Sequence, residues 1–103
     1  MSELFYVYEH LRNDTNQIFY VGKGKVGSGR SNITFGRNQY WKRVVKKANG
    51  FRVHKVVENV SELFAFQKEI ERIAELKSAG IRLCNMTDGG DGFIDVLTRN
   101  KKN

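Results

Sequence analysis

The feature that most constrains the fold is a pair of short strand-like segments near the start of the chain. Leu4 to His10 alternates between apolar and polar positions and is rich in aromatics, and Ile18 to Val21 is a second run of this kind. The segment between them, Leu11 to Gln17, is polar and indicates a turn. The two runs are therefore expected to pair as an antiparallel hairpin.

Pairing would sort the hairpin side chains onto two faces. The core face would hold Phe5, Val7, Phe19 and Val21, and the other face Tyr6, Tyr8, His10, Ile18, Tyr20 and Gly22. If Tyr8 lies opposite Tyr20, the two phenols sit side by side where a glycine-rich loop leaves the sheet. A slip of one residue would destroy this arrangement.

The rest of the chain predicts two helices and one more strand. After a loop over Gly22–Asn38, we expect a helix over Gln39–Ala48 that ends at Asn49 and Gly50. A strand over Phe51–Glu58 should follow, and then a second helix that is capped by Ser61 and runs through Ala79, with Gly80 at its end. A brief extended segment at Arg82–Cys84 and a tight loop over Asn85–Gly92 complete this part of the chain. This order predicts a small α/β (α+β) domain over residues 1–92, with a three-stranded, mainly antiparallel sheet flanked by helices. Residues 93–103 are expected to be a basic tail.

The second helix carries one acid of special interest. Its predicted apolar stripe is Leu63, Phe66, Ile70, Ile73 and Ala74. Glu69 lies on the flank of that stripe, in the helical row that contains Ala65, Arg72 and Leu76. A carboxylate at the edge of a core needs a partner, and a metal ion or a cationic side chain would serve.

Size and cysteine content exclude several classes of protein. The chain has 103 residues, which suffices for one modest core. It has no apolar run long enough to span a membrane and no secretory signal at its start. Cys84 is the single cysteine, which excludes an internal disulfide and a cysteine-based zinc site. These features lead us to expect a cytoplasmic location.

The charge distribution points to a polyanionic partner. The net charge is +7, and the 43 residues from Thr15 to Val57 contain ten Lys and Arg residues but no acid. Such a segment attracts nucleic acid, although a solvated basic face is the simpler alternative. The residues expected to contact nucleic acid are Lys23, Lys25, Arg37, Lys42, Arg43 and Lys46.

Two phosphate-binding patterns overlap in the glycine-rich loop. Gly22 to Gly27 fits G-x-G-x-x-G, and Gly24 to Ser31 fits a P-loop except that Arg30 replaces the lysine. The first pattern needs a helix that opens directly on the loop and an acid about 20 residues later. The second needs its lysine and a metal-binding aspartate. The chain lacks these features, so a nucleotide-binding protein is the weaker interpretation.

Five landmarks in order resemble the GIY-YIG nuclease superfamily. They are Tyr6-Val7-Tyr8, Tyr20-Val21-Gly22, Arg30 ten residues after Tyr20, the helical segment Ala65–Glu69, and Leu83-Cys84-Asn85 followed by Thr87–Gly90. The first tripeptide has Tyr where the family has Gly. Together the landmarks cover about residues 4 to 92.

The resemblance implies a metal-dependent endonuclease that cuts DNA. Its implied catalytic residues are Tyr8, Tyr20, Lys23, Arg30, Glu69 and Asn85. Tyr8 would act as general base with help from Tyr20, and its pKa would be lowered by nearby positive charge from Lys23, Arg30 and the metal. Glu69 would hold one Mg²⁺ or Mn²⁺ ion, Arg30 would clamp the phosphate, and Asn85 would fix Glu69 or the backbone near it.

Several alternatives stay open at this stage. A DNA- or RNA-binding module on the same fold, without cleavage, explains the charge pattern equally well. The family often has a His or Tyr shortly after the arginine, where this chain has Thr34, and His10, His54 and Tyr40 are candidates to replace it. The target, the choice of DNA over RNA, a monomer or homodimer, and a separate DNA-targeting domain or partner are also open.

Overall fold

The computed structural model describes residues 3–86 and residue 89, and it has an α+β fold. The elements are β1 (Phe5–Arg12), β2 (Ile18–Lys25), a 3₁₀ turn (Arg30–Asn32), α1 (Gln39–Ala48), β3 (Phe51–Val60) and α2 (Glu62–Ser78). Both strand pairs are antiparallel, and the sheet order β2-β1-β3 places β1 in the centre. The expected fold class is confirmed. The expected tail at 93–103 and most of the loop after Met86 lie outside the described residues.

The helix boundaries follow the expected caps. The Trp41 backbone N–H donates to the Asn38 side chain at 2.8 Å, and Asn49 ends α1 in the left-handed conformation with φ of 60°. The Phe64 backbone N–H donates to the Ser61 hydroxyl at 3.1 Å at the start of α2. Side-chain caps of this kind replace the hydrogen bonds that a helix end lacks. The predicted span of α1 is confirmed residue for residue. No helix of the described part of the chain is long and apolar enough to cross a membrane.

The two faces of β1 pack against different parts of the chain. We call the face with Phe5, Val7 and Glu9 the aliphatic face and the face with Tyr6, Tyr8 and His10 the tyrosine face; the strand is buried on both. The main core lies between the aliphatic face and α2, and its buried members are Phe5, Val7, Val21, Ala65, Ile73, Leu76 and Leu83. The tyrosine face lies under the segment from Arg30 to Trp41.

The hairpin register differs from the expected one. Tyr8 lies opposite Gly22, and His10 lies opposite Tyr20, so the expected pairing of Tyr8 with Tyr20 is wrong. The register is set by the turn, after which Leu11 pairs with Ile18, and by a bulge in β2 directly after that pair. β2 also continues through Lys25, into residues that the sequence assigned to a loop. The pairing is thus shifted by two residues, which keeps both tyrosines on one face.

A bulge in β2 moves Phe19 away from its expected neighbours. Leu11 pairs with Ile18 and His10 pairs with Tyr20, which leaves Phe19 as an extra residue in the strand. We expected Phe19 to pack with Phe5 and Val7, but it packs with Trp41 and Cys84. Ile18, expected on the other face, packs against the main core instead. The segment Arg82–Cys84, expected to be extended, belongs to no helix or strand. One backbone N–H from Cys84 nevertheless donates to the Phe19 carbonyl at 2.7 Å.

Two glycines of the loop motifs have a packing role in β2. A Cβ at Gly22 would lie 2.4 Å from the Tyr8 ring, and one at Gly24 would lie 2.6 Å from the Tyr6 ring. Any side chain at either position would collide with a phenol that crosses β2 there. The resemblance of this segment to a phosphate loop therefore has a steric explanation.

The buried side of α2 is rotated from the predicted stripe. Ala65, Phe66, Ile73 and Leu76 are buried, whereas Ala74, which we expected inside, is exposed. The rotation brings the row containing Glu69 closer to the sheet. Glu69 is half-buried, as expected.

Candidate active site

A cleft of about 250 Å³ along the β2 edge of the sheet collects all six predicted catalytic residues. Its lining residues are Tyr8, Tyr20, Gly22, Lys23, Arg30, Asn38, Phe66, Glu69, Asn85, Met86 and Gly89. The predicted residues come from β1, β2, the 3₁₀ turn, α2 and the segment after α2. The fold thus brings to one surface side chains that are up to 77 residues apart, from position 8 to position 85.

Tyr8 lies at the inner end of this cleft with 1% of its surface exposed. Its hydroxyl accepts a hydrogen bond of 3.0 Å from Arg37, and its ring centroid is 6.3 Å from that of Tyr20. Burial raises the pKa of Tyr8, while the hydrogen bond from Arg37 and the charge of Arg30 act in the opposite direction. The side chains of the protein therefore raise the pKa of Tyr8 rather than lower it as expected, because burial outweighs the neighbouring cationic residues.

Arg37 is a site residue whose position the sequence did not reveal. Its side chain is 5% exposed, and it donates to the carbonyls of Ile33 and Arg30 at 2.9 and 2.8 Å as well as to Tyr8. We expected it to contact nucleic acid at the surface, but its guanidinium is directed into the protein. Its spacing, seven residues after Arg30 and just before the cap of α1, matches no motif that would mark this role.

Lys23 approaches the cleft from the other face of the sheet. It pairs with Val7 across the hairpin, so its side chain extends on the aliphatic face, away from that of Tyr8. Its ammonium lies 3.7 Å from the Glu62 carboxylate and 4.3 Å from the centroid of the Phe66 ring. This position does not support the expected role of Lys23 in lowering the Tyr8 pKa.

Glu69 forms the acidic part of the cleft, close to the loop that follows α2. A Cβ added at Gly89 would lie 3.4 Å from a Glu69 carboxylate oxygen, so the backbone at Gly89 lies close to the carboxylate. Within residues 3–86 and 89, no group of three or more His, Cys, Asp or Glu side chains could hold a metal ion. One carboxylate still suits Mg²⁺, which keeps several waters and is often bound by one carboxylate and the substrate phosphates.

Asn85 is bound to β2, a partner that the sequence did not predict. Its side-chain oxygen accepts from the Val21 N–H at 3.0 Å, and its amide nitrogen donates to the Val21 carbonyl at 2.7 Å. The expected contact with Glu69 or its neighbouring backbone is thus replaced by one with β2. Because Val21 lies between Tyr20 and Gly22, Asn85 holds the wall of the cleft in place.

His10 has a structural position on the tyrosine face. Its Nδ1 accepts from the Trp41 indole at 3.0 Å, so its Nε2 carries the proton and donates to the Ser31 carbonyl at 2.7 Å. Burial lowers the pKa of His10 to about 4, which keeps the ring neutral near pH 7. His54 instead contacts the Glu9 carboxylate at 3.0 Å, and neither histidine lines the cleft.

The residues expected to bind nucleic acid do not all lie on one surface. Lys42, Arg43 and Lys46 are exposed on α1, where no acid is present among residues Gln39–Ala48. Lys25 is exposed but forms an ion pair of 2.8 Å with Glu3. Of the residues expected to bind nucleic acid, the three on α1 therefore form the most clearly basic surface.

Comparison of the chain with models of protein families, with curated proteins and with solved structures found no match. The family resemblance accordingly depends on the order of the landmark residues themselves. Function depends on the chemistry of the site rather than on the fold alone.

Proposed function

We propose that this chain is a metal-dependent endonuclease of the GIY-YIG type that hydrolyses phosphodiester bonds in DNA. The observation that supports this most is the convergence of Tyr8, Tyr20, Arg30, Glu69 and Asn85 on one cleft. A protein that only binds DNA gains nothing from a half-buried carboxylate in a cleft that Lys23 and Arg30 also line, since that carboxylate repels phosphate. A hydrolase needs it, because a divalent cation on the carboxylate reverses the local charge.

The proposed reaction is attack of a water oxygen on phosphorus with departure of the 3′ oxygen. Arg30, at the rim of the cleft, clamps the non-bridging oxygens through its planar donor group. Tyr8 accepts the proton of the attacking water as the phenolate, the form that the charges of Arg37 and Arg30 favour against the effect of burial, and Tyr20 orients that water. The bond between P and the 3′ oxygen breaks, and the 3′ oxygen takes up a proton from a second water molecule, which leaves a 5′-phosphate and a 3′-hydroxyl.

Arg37 acts in this scheme as the residue that positions Tyr8. Its hydrogen bond fixes the phenol oxygen, and its charge favours the phenolate form that can accept a proton. Asn85 has a similar positioning role because it fixes the backbone between Tyr20 and Gly22. Both residues act through the neighbours that they bind.

Glu69 is the residue that would hold Mg²⁺ or Mn²⁺. A cation bound there supplies stabilisation of the charge that develops on the phosphate and the leaving oxygen. The half-buried position of Glu69 suits this role, because a carboxylate with limited hydration binds a cation more strongly than a fully exposed one.

The experiment that tests the proposal is nicking of supercoiled plasmid with Mg²⁺ or Mn²⁺, by wild type, Glu69→Ala and Arg30→Ala. We expect wild type to nick and each variant to lose at least about 100-fold in rate, the size of loss typical when a charge-stabilising group is removed. Glu71→Ala is the matched control, because Glu71 lies exposed on the same helix and pairs with Lys68. It should nick like wild type.

A second candidate function is a DNA- or RNA-binding module without cleavage. The exposed Lys42, Arg43 and Lys46 of α1 support it, since these side chains supply the salt-dependent affinity of a basic surface. Binding of wild type to plasmid in a gel-shift experiment, with no nicking under any divalent metal, would favour this function over the endonuclease.

A further inference from the structure

A second pocket, of about 210 Å³, lies on the other side of the wall that bounds the cleft. Its lining residues are Arg12, Gln17, Ile18, Phe19, Tyr40, Val44, Arg82 and Cys84. Phe19 and Cys84 are buried and form the floor, whereas Tyr40 is 39% exposed and forms a side. The volume is below the roughly 300–1,000 Å³ of sites for drug-sized molecules, which suits one flat ring system.

At two places in the chain, neighbouring residues divide between the cleft and the second pocket. Tyr20 lines the cleft and its neighbour Phe19 lines the second pocket. Asn85 and its neighbour Cys84 divide in the same way, and the Cys84 N–H is bonded to the Phe19 carbonyl. The two pockets therefore share the segments Phe19–Tyr20 and Cys84–Asn85, past which a strand bound in the cleft would extend.

The second pocket combines an apolar interior with a basic rim. No acid is among its lining residues, and Arg82 is exposed. Arg12 has its charge balanced by Asp14 at 2.7 Å, so Arg82 is the stronger cation there. On α1, Arg43 and Lys47 follow Tyr40 by three and seven positions, which places them on the same side of the helix. An aromatic surface with cations around it is the arrangement that binds the bases and phosphates of single strands.

We propose that the second pocket binds one unpaired base of the nucleic-acid strand whose phosphate lies in the cleft. Tyr40 provides the stacking surface, and Arg82 contacts a phosphate of the same strand. This inference rests on the proposed function, because it takes the cleft as the place where the strand is cut.

The proposal defines a substrate class. A base enters the second pocket only after it leaves its stack, which is most costly in paired DNA and least costly at a mismatch, gap or single-stranded end. The preferred substrates are therefore strands with an unpaired nucleotide beside the cut, in preference to uninterrupted duplex.

The test uses an oligonucleotide with a single 2-aminopurine next to a gap, and a fully paired duplex of the same sequence. Binding is measured in EDTA, so that no cleavage occurs, by fluorescence of the 2-aminopurine and by gel shift. Stacking of one base is worth about 1–3 kcal/mol by alanine substitution, which corresponds to about 5- to 150-fold in affinity. We expect Tyr40→Ala to lose this much affinity for the gapped strand and less than about twofold for the duplex.

Three further variants make the result specific. Tyr40→Phe keeps the ring and should bind like wild type, and Arg82→Gln should weaken gapped-strand binding and reduce its dependence on salt. Phe64→Ala removes an aromatic side chain of similar exposure, 43%, from α2 and should change nothing. Equal losses of Tyr40→Ala on gapped and paired DNA, or no loss on either, overturn the second-pocket proposal.

The outcomes also separate the second pocket from the cleft. If wild type nicks plasmid but Tyr40→Ala behaves like wild type on both substrates, the second-pocket proposal fails and the proposed function stands. If wild type binds neither substrate, both fail. Saturable binding of free adenosine monophosphate that Tyr40→Ala abolishes, without an effect on the oligonucleotides, overturns the strand proposal in favour of a nucleotide site.

Discussion

The two faces of β1 show two ways of placing side chains in one strand. On the aliphatic face, Phe5 and Val7 are positioned by packing against α2, and only Glu9 carries a polar group. On the tyrosine face, all three buried rings carry polar atoms. The Ser31 N–H donates to the Tyr6 hydroxyl at 3.0 Å, Arg37 donates to Tyr8, and His10 bonds to both Ser31 and Trp41.

The difference indicates that the two faces of β1 have different roles: the aliphatic face contributes packing, and the tyrosine face contributes hydrogen bonds. Packing tolerates small shifts, because apolar contacts have no fixed direction. Hydrogen bonds between buried groups have narrow geometry and are costly to break. Each ring of the tyrosine face binds the segment from Arg30 to Trp41, so this face fixes the part of the chain that delivers Arg30 and Asn38 to the cleft.

The largest expected effect is on the activity of the tyrosine face. Tyr8→Phe keeps the ring but removes the oxygen that accepts the proton, so nicking should fall by about 10²- to 10⁴-fold, the usual contribution of a general base. Plasmid nicking under single-turnover conditions measures this. The variant should also lose about 1–3 kcal/mol of stability, because Arg37 loses an acceptor. A variant that nicks at the wild-type rate would exclude Tyr8 as the base.

The aliphatic face should respond to loss of charge pairing by losing stability rather than activity. Glu9 is 1% exposed and bonds to Arg72 at 2.5 Å, so Arg72→Met leaves a buried carboxylate with His54 as its remaining partner. We expect a loss of about 3 kcal/mol in the free energy of unfolding, the low end for a broken buried pair because Arg72 is partly solvated. Urea unfolding at pH 7 measures this.

The control for this change is Lys68→Met on the same helix. Lys68 has the same side-chain exposure as Arg72 but pairs with the exposed Glu71, so the loss should stay below about 0.5 kcal/mol. Similar losses in Arg72→Met and Lys68→Met would show that the burial of Glu9 has no special importance.

Lowering the pH should weaken the tyrosine face through His10. The pKa of His10 is about 4 in the folded protein and near 6.5 when unfolded, so between these values the unfolded chain binds the extra proton. Stability contributed by the neutral ring is full above pH 6.5 and is lost as the pH falls toward 4, by up to roughly 3 kcal/mol. Urea unfolding between pH 7 and 4, with an NMR titration of the ring, measures it. A ring that titrates near 6.5 would contradict the expectation.

The smallest expected effect separates Tyr6 from Tyr8. Tyr6→Phe removes the acceptor of the Ser31 N–H, which should lower the free energy of unfolding by about 1 kcal/mol. Nicking should stay within about threefold of wild type, because Tyr6 does not line the cleft. Urea unfolding and plasmid nicking of this variant, beside Tyr8→Phe, show whether the two phenols have different tasks.

The sequence predicted the features that depend on local chemistry. The bounds of α1 follow from the cap at Asn38 and the left-handed stop at Asn49, and the fold class follows from the order of strand and helix patterns. It also identified six residues that share one cleft, although these are hypotheses about catalysis that await experiment. Each of these inferences used spacing along the chain or the type of a few neighbouring residues.

The features that the sequence did not predict depend on contacts between distant segments. The bulge at Phe19 and the extension of β2 to Lys25 depend on how two strands pair. The burial of Arg37 depends on a partner 29 residues away. The raised pKa of Tyr8 follows from its burial, which no local pattern reveals because the strand is covered on both sides.

The two hydrogen bonds between Asn85 and β2 also affect how readily the protein self-associates. β2 is an edge strand, and its unpaired backbone groups would otherwise form a template for a strand from another molecule. The Asn85 carboxamide bonds to both the backbone N–H and the carbonyl of Val21, so neither group is available to a strand from another molecule. A variant such as Asn85→Ala, which loses these two hydrogen bonds, should therefore self-associate more as its concentration rises. Sedimentation measurements would detect this self-association, which has to be known before a loss of activity in the variant is attributed to catalysis.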